Sequence, residues 1–232
     1  MRGGGLKLIL HFLTAAAFVS TCQCAENKLT KQEKKEGWIL LFDGSTLDGW
    51  MSADGRPSKR PVEDNSINPH ASGTDVLVYK KPVENFILST DFKIAPRCNS
   101  GIMLRNYPLE KGGKDYGWNA IEVQIEDTPG NNLHTTGAFY DLIAPAKNAM
   151  KPAGEWNHIV INCNRNIVTI NLNGEDINRM DLDLFSQPGM RPDGTRHKFG
   201  RAFKDQPRLG YIGLQDHGGE CWYNNIKLKA LP

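Results

Sequence analysis

The sequence has almost no excess charge of either sign. Its 28 Lys and Arg residues and 26 Asp and Glu residues leave a formal net charge of +2. Arg2 and Lys7 are the only charged residues before residue 26, so removal of the first two dozen residues would leave 26 basic and 26 acidic groups. Binding to nucleic acid requires clustered positive charge that replaces condensed counterions. A nucleic-acid partner is therefore not expected.

Long hydrophobic runs are also scarce. The one extended apolar segment, Leu8–Val19, is shorter than the ~20 residues that span a bilayer. It follows two basic residues and precedes a small, polar segment, Thr21–Ala25, which is the layout of a secretory signal peptide. We therefore expect residues 1–24 to be cleaved, no transmembrane segment, and an exported protein, periplasmic or extracellular. Lipid anchoring at Cys22 is the alternative, because the four residues that end there loosely resemble a lipobox.

Cysteine is too rare for a disulfide scaffold. Two of the five cysteines lie in the predicted signal peptide, which leaves Cys98, Cys163 and Cys221. Three thiols allow at most one disulfide, although export would permit it. The spacings CxxC and HxxxH are missing, which argues against a zinc site built from Cys and His.

The sequence also lacks a segment of helical length with an apolar stripe at three-to-four spacing. It has instead short alternating or apolar runs bounded by Gly, Pro, Asn and Asp. At least nine of these runs are strand candidates: Trp38–Phe42, Val76–Tyr79, Phe86–Ile94, Gly101–Arg105, Asn119–Glu126, His158–Cys163, Ile167–Leu172, Tyr211–Leu214 and Trp222–Leu228. The turn Asn173-Gly174 should lead into a further strand. The pattern predicts one all-β domain, residues 37–232, of two antiparallel sheets packed face to face, after a charged linker at residues 25–36.

The most informative strand is residues 121–126. Alternation places its three apolar side chains on the core face and Glu122, Gln124 and Glu126 on the other face. Trp118 lies just upstream, and aromatic rings beside carboxylates suit a sugar, which offers both an apolar face and hydroxyl groups. We interpret this row as one wall of a binding groove; a solvated surface is the alternative. On either interpretation Glu122 lies outside the core, so Glu122→Gln should change the stability by no more than ~0.5 kcal/mol.

Other candidate residues lie at the ends of predicted strands. Arg105 ends an apolar run, where its guanidinium would reach solvent or pair with a carboxylate. Asp216 and His217 are adjacent and precede two glycines, so they could form a proton-transfer pair or a capped surface loop. Tyr140, with His134 upstream, could donate a hydrogen bond to substrate or bond to the backbone.

A long polar segment, residues 181–208, precedes the last two predicted strands. It is rich in basic side chains, and Lys198 is its candidate substrate contact. Loops of this length in a compact domain are usually functional or disordered. We expect this loop to cover or flank the groove and to become ordered when ligand binds; a solvated basic loop is the alternative.

Six sequence blocks occur in an order that resembles one protein family. The blocks are LFDGSTLDGW, NSGIMLR, YGWNAIEVQIED, TGAFYDLIAP, KPAGEWN and GYIGLQDHGG. In this order, from Gly37 to Pro232, they resemble the 3-keto-disaccharide hydrolase domain family of bacterial secreted proteins. The resemblance implies a concanavalin A-like β-sandwich or jelly roll that binds a carbohydrate substrate. It also implies action on glycosides already oxidised at the sugar C3.

Such a substrate allows cleavage by elimination. A carbonyl at C3 acidifies the C2 proton, so a base can form an enolate that expels the C1 substituent, and water then adds to the enone. Within the resemblance, Glu122 or His217 would be the base, Arg105 would stabilise the enolate, and Tyr140 or His134 would be the acid. Two further residues, Asn99 and Gln124, would orient hydroxyl groups. A divalent metal held by Glu122, Asp216 and His217 is an alternative to Arg105.

Two other functions remain open from the residues alone. The spacing Glu122-x-Gln124-x-Glu126 resembles the signature of laminarinase-type glycosidases, with Gln in place of the middle Asp. Retaining hydrolysis needs carboxyl groups ~5–5.5 Å apart, whereas residues i and i+4 of a strand lie ~13 Å apart. That function would therefore need a β-bulge. A non-catalytic sugar-binding module would use the same polar row and would need neither Arg105 nor the Asp216–His217 pair.

Overall fold

The computed structural model describes residues 27–53, 55–106 and 120–232, which fold into two packed antiparallel sheets. The strands are β1 (Trp38–Leu40), β2 (Trp50–Ser52), β3 (Val76–Tyr79), β4 (Phe86–Ile94), β5 (Asn99–Asn106), β6 (Ile121–Glu126), β7 (Asn157–Asn164), β8 (Ile167–Leu172), β9 (Glu175–Asp181), β10 (Tyr211–Gln215) and β11 (Cys221–Ala230). One α-helix, α1 (Lys31–Lys35), and two 3-10 helices, Leu182–Leu184 and Phe203–Asp205, complete the described elements. The predicted all-β sandwich is confirmed.

The strand order sets the two faces of the molecule. One sheet has six strands in the order β1-β11-β4-β7-β8-β9, and the other has five in the order β2-β3-β10-β5-β6. In β4, alternate residues from Phe86 to Ile94 are buried and the others are half-buried. The buried set packs against Ile121, Val123 and Ile125 of the opposite sheet in one core cluster. Burying each large apolar side chain contributes about 1.5–3 kcal/mol.

Sequence patterns located most of these strands. The strand β9 follows the turn Asn173-Gly174, as predicted, and both turn residues have positive φ, 55° and 87°. The strand β2, by contrast, is not among the strands predicted from the sequence, because three residues are too few to show a period. Antiparallel pairing with β3 holds these three residues in an extended conformation that the local sequence pattern does not indicate.

The segment predicted as a charged linker packs on the sandwich from residue 27 onward. Helix α1 begins with a capping box between Thr30 and Glu33. The Lys227 ammonium donates to Glu33 at 2.6 Å, and Asn225 exchanges hydrogen bonds with Asn27 at 2.6 and 2.9 Å. This segment is therefore attached to β11. The predicted signal peptide, residues 1–24, lies outside the described residues and stays a prediction.

The outer face of the five-stranded sheet, which points away from the core, is also buried. Its apolar part is a second cluster of Ala53, Val76, Val78, Met103 and Ala120, with Tyr211 at the edge. Met103 is opposite Glu122 in the pairing of β5 with β6. The described residues include no helix long and apolar enough to cross a membrane.

Candidate functional site

The polar row of β6 lies beside the apolar cluster on the outer face. The strand pairing places Glu122 opposite Met103, Gln124 opposite Gly101, and Glu126 opposite Asn99. The Gln124 amide donates to Asn99 at 3.1 Å and to Glu126 at 3.3 Å. These predicted side chains therefore lie together. Glu122 and Gln124 are buried, with 7% and 1% exposed, whereas Asn99 and Glu126 are half-buried.

Glu122 is the most perturbed acid in this row. It is 7% exposed, and burial raises its pKa from 4.5 to about 7. Glu126 adds to the increase by repulsion, whereas Lys198 and a hydrogen bond from Gln215 lower the pKa. A carboxylate with this pKa exchanges a proton readily near neutral pH. Its burial also removes the basis for expecting an unchanged stability in Glu122→Gln, which was the exposure of this side chain.

Gly101 provides the space for that carboxylate. Gly101 lies in β5, between Glu122 in β6 and Gln215 in β10. A Cβ atom at this position would lie 2.9 Å from Glu122 Oε1 and 3.2 Å from Gln215 Oε1. Any side chain here would displace one of the two groups. Gly101 of the NSGIMLR block therefore leaves the space that the Glu122 and Gln215 side chains occupy.

Tyr140 is held next to Glu122 by backbone pairing. Residues 137–140 run along the edge of β6, where Gln124 N–H donates to Ala138 O at 3.0 Å and Tyr140 N–H donates to Glu122 O at 3.0 Å. The ring of His134 lies 4.9 Å from that of Tyr140, centroid to centroid. Burial and the negative charge of Glu122 raise the pKa of Tyr140. Both predicted acid candidates are therefore at this edge.

Lys198 brings a cation to the same place. Its Nζ lies 4.0 Å from the centroid of the Tyr140 ring. Burial lowers its pKa, and the charges of Glu122 and Asp141 raise it in part. The predicted basic loop thus flanks the site. It packs around its own aromatic cluster, in which His197 lies among Phe185, Phe199 and Phe203; its ordering on ligand binding stays a prediction.

Arg105 is not part of this group. A β-bulge in β5, where Arg105 has a φ of 50°, shifts the register against β10 and reverses the alternation of faces. The guanidinium is fully buried, donates to Glu84 O at 3.3 Å, and lies close enough to the Cys163 thiol of the core for each group to affect the pKa of the other. It neither reaches solvent nor pairs with a carboxylate among the described residues. The enolate-stabilising role therefore has no geometric support.

The expected pair of Asp216 and His217 is likewise not formed. Asp216 accepts from Ala71 N–H at 3.0 Å and lies 3.0 Å from His70 Nδ1. His217 is exposed. Neighbouring residues of an extended chain point in opposite directions, so adjacency in sequence does not bring the two side chains together. The partner of Asp216 comes from a different loop.

The expected metal ligands are not assembled in the described parts of the chain. Among those residues, no group of three or more His, Cys, Asp or Glu side chains is arranged to hold a metal ion. Glu122 has Lys198 and Gln215 as neighbours, while Asp216 has His70. Trp118, the predicted aromatic wall, lies outside the described residues.

Sequence reasoning missed three residues of this region. Gln215 donates to Glu122, Asp141 bonds to the basic loop, and His70 lies beside Asp216. For Gln215 the sequence held a signal, because alternation along the block GYIGLQDHGG places Gln215 on the same face of its strand as Gly213. The partners of Asp141 and His70 are 57 and 146 residues away along the chain, and no local pattern indicates such contacts.

Comparison with protein families decides the relationship. Residues 37–229 match the model of the 3-keto-alpha-glucoside-1,2-lyase-like domain. The chain belongs to this family. The resemblance inferred from the six sequence blocks is thereby confirmed. Three residues of the site, Glu122, Gln124 and Tyr140, lie in the sequence blocks on which the resemblance to this 3-keto-alpha-glucoside-1,2-lyase-like family was based.

Characterised and solved relatives are similar over most of their length. A protein of Bacteroides thetaiotaomicron named 3-keto-disaccharide hydrolase is 27% identical, covering 94% of this chain and 87% of that protein. A crystal structure of a protein from Parabacteroides distasonis that is described as a "putative glycosyl hydrolase" has a TM-score of 0.74 and 26% identity, covering 89% of this chain and 100% of that one. A second structure from that organism has a TM-score of 0.71 and 28% identity, with 84% and 99% coverage.

Proposed function

We propose that this 3-keto-alpha-glucoside-1,2-lyase-like protein cleaves glycosides or disaccharides that carry a carbonyl at sugar C3. The observation that carries the proposal is Glu122: a buried carboxyl with a pKa of about 7, beside Lys198 and Tyr140. A general base works best when its pKa is near the working pH. Family membership and the named relatives support the same substrate class.

The first step is removal of the C2 proton. In this proposal Glu122 accepts that proton, and the electrons of the C–H bond move toward the C3 carbonyl to form an enolate. Lys198 takes the stabilising role that the sequence suggested for Arg105. Lys198 is close enough to Glu122 for its positive charge to lower the pKa of that carboxyl. A fixed cation beside a developing oxyanion lowers the barrier because it needs no reorganisation.

The second step is loss of the C1 substituent. The enolate electrons re-form the carbonyl and expel the C1 oxygen, which takes a proton from Tyr140 or His134. Water then adds its hydroxyl to C1 of the enone and gives its remaining proton to the deprotonated Tyr140 or His134, which restores the acid, while the proton held by Glu122 returns to C2. The products are a 3-keto-sugar and an alcohol or second sugar, and the overall reaction consumes one water. Asn99 and Gln124 would bind substrate hydroxyl groups from the same face.

A laminarinase-type mechanism is less consistent with the strand geometry. The pairing of β6 with β5 runs without a register shift from Ile121 to Glu126. The bulge that would bring Glu122 and Glu126 to ~5–5.5 Å is therefore missing from this strand. A non-catalytic sugar-binding module remains the alternative. Such a module would not need a buried carboxyl whose pKa is raised to about 7, because that burial costs stability.

The decisive experiment compares a 3-keto-disaccharide with its unoxidised parent. The proposal expects release of monosaccharide from the oxidised substrate only. Glu122→Gln should reduce turnover by ~10²–10⁴, the range of a lost general base. Glu175→Gln is the matched control, because that carboxylate is exposed and pairs with Lys147. Binding of both sugars without cleavage would support the binding module, and cleavage of the parent sugar would support an ordinary glycosidase.

A further inference from the structure

Asp141 lies behind the site and contacts three segments of the chain. Its Oδ1 accepts from Arg191 Nη2 at 2.7 Å, and its Oδ2 accepts from the Lys198 backbone N–H at 2.7 Å. Its backbone oxygen accepts from Arg191 at 2.8 Å, and its own N–H donates to Leu133 O at 3.0 Å. All three oxygen atoms of Asp141 therefore accept a hydrogen bond from the basic loop.

The ion pair of Asp141 with Arg191 is well protected from water. The two side chains are 16% and 11% exposed, so solvent screens their attraction less than at the surface. Asp141 also has a φ of 54°, a left-handed conformation that costs energy for most residues. The hydrogen bonds to Arg191 and Lys198 hold Asp141 in this conformation, and strained backbone of this kind is often found at functional sites.

The consequence of these bonds is the position of Lys198. The backbone of Lys198 is fixed to Asp141, while its ammonium extends over the ring of Tyr140, the residue before Asp141. Tyr140 is itself paired with the backbone of Glu122. Asp141 thus connects the basic loop to the edge of β6 without belonging to either.

We propose that Asp141 is a positioning residue that holds the Lys198 ammonium over Tyr140 and beside the Glu122 carboxylate. It acts through Lys198 and does not itself contact the substrate. Its role in turnover rests on the function proposed above, whereas its role in placing Lys198 does not. The charged groups around this contact include Glu122 and Glu126 on β6, Asp141 beside Tyr140, and Arg191 and Lys198 on the loop.

Asp141→Asn is a suitable probe. Asn has nearly the same shape and tolerates the left-handed region, so the change adds little backbone strain. Arg191 and Lys198 donate to different carboxylate oxygens, so an amide, in which an NH2 group replaces one oxygen, would set a donor against one of these two donors and lose that bond. Asp193→Asn is the matched control, because Asp193 lies on the same loop but accepts from the backbone N–H and the hydroxyl of Thr195 instead of from Lys198.

The first measurement needs no activity. In the wild-type protein, the ring of Tyr140 should shift the NMR signals of the Lys198 side-chain methylenes upfield, and Lys198→Met identifies those signals by their loss. Asp141→Asn should move them toward values of an unstructured lysine, and Asp193→Asn should leave them in place. An unchanged shift in a folded Asp141→Asn protein would overturn the proposal.

The second measurement uses turnover of a 3-keto-disaccharide. Asp141→Asn should lower kcat/KM by about 10- to 100-fold, the effect of a misplaced catalytic group. In the Lys198→Met background, Asp141→Asn should cause no further loss, because the residue acts through Lys198. Losses that multiply would overturn the proposal. If no 3-keto-sugar is cleaved, the proposed function fails and the NMR result alone decides the role of Asp141.

A variant that fails to fold does not end the test. Arg191→Gln removes the ion pair but keeps the carboxylate of Asp141 and its bond to the Lys198 backbone. The Lys198 signals should then lose part of their upfield shift. Full retention of that shift in Arg191→Gln would overturn the expectation that the ion pair of Arg191 with Asp141 helps to hold Lys198 in place.

Discussion

Glu122 and Gln215 are hydrogen-bonded to each other although a whole strand, β5, separates the two strands that carry them. The contact exists because the intervening residue is Gly101, whose missing side chain leaves the space open. The donor lowers the pKa of Glu122, and burial raises it by more. The balance of these effects places the pKa of the Glu122 carboxyl at about 7, close to physiological pH.

The pH dependence of turnover should reflect this carboxyl. Glu122 must be ionised to accept a proton, so kcat/KM should rise with pH and level off above about pH 7, the pKa of Glu122. Lys198→Met removes a charge that lowers this pKa, so the midpoint should move to higher pH. A pH-rate profile of both proteins measures the effect. A profile that is flat across this range would exclude Glu122 as the base.

Glu122→Gln should stabilise the protein at high pH. The folded-state pKa of about 7 exceeds the ordinary 4.5, so the folded protein retains a proton that the unfolded chain loses between these values. Wild-type stability therefore falls as the pH rises through this window, by an amount on the order of 3 kcal/mol. Gln does not ionise and escapes this loss. Urea unfolding of both proteins at about pH 4 and pH 8 should show a difference that grows with pH; equal differences at the two values would contradict the burial argument.

Gly101→Ala should impair the site more than the fold. The added methyl would lie 2.9 Å from the Glu122 carboxylate, which must then move. We expect kcat/KM to fall by about tenfold or more, as for a misplaced catalytic group. Gly200→Ala is the control, because a Cβ atom there meets nothing within 4 Å. Full activity of Gly101→Ala would mean that the present position of Glu122 is not needed.

Arg105→Met should leave turnover nearly unchanged. The Arg105 guanidinium is fully buried, and its Nε and Nη1 atoms have no hydrogen-bond partner in the described part of the chain. Replacing a poorly paired buried charge by an apolar side chain of similar size is often neutral or stabilising. Thermal unfolding and kcat/KM of the variant test both points. A folded but inactive variant would restore Arg105 to the site.

The three described cysteines should resist alkylation in the native protein. All are buried, and burial raises the pKa of Cys163 to about 12 and that of Cys221 as well. Iodoacetamide should therefore modify them only after unfolding in urea. Cys98 and Cys221 are hydrogen-bonded to each other. Refolding with oxidised glutathione should accordingly link this pair and leave Cys163 as a thiol, which peptide mapping detects; a link to Cys163 would contradict this.

The amino-acid sequence by itself determined most of the strands and, where a strand has no bulge, the face that each side chain takes. Alternation in residues 121–126 assigned Glu122, Gln124 and Glu126 to the outer face, and the turn Asn173-Gly174 indicated β9. These features are local, because side-chain direction in a strand depends only on the count along the chain.

Only the tertiary structure decided which outer-face groups meet. One bulge turned Arg105 into the core, and a contact across 146 residues gave Asp216 to His70 instead of His217. The approach of Lys198 to Glu122 depends on bonds between a loop and Asp141, 57 residues away. Partners of this kind follow from strand order and loop packing, which distant parts of the chain settle together, so no local period can encode them.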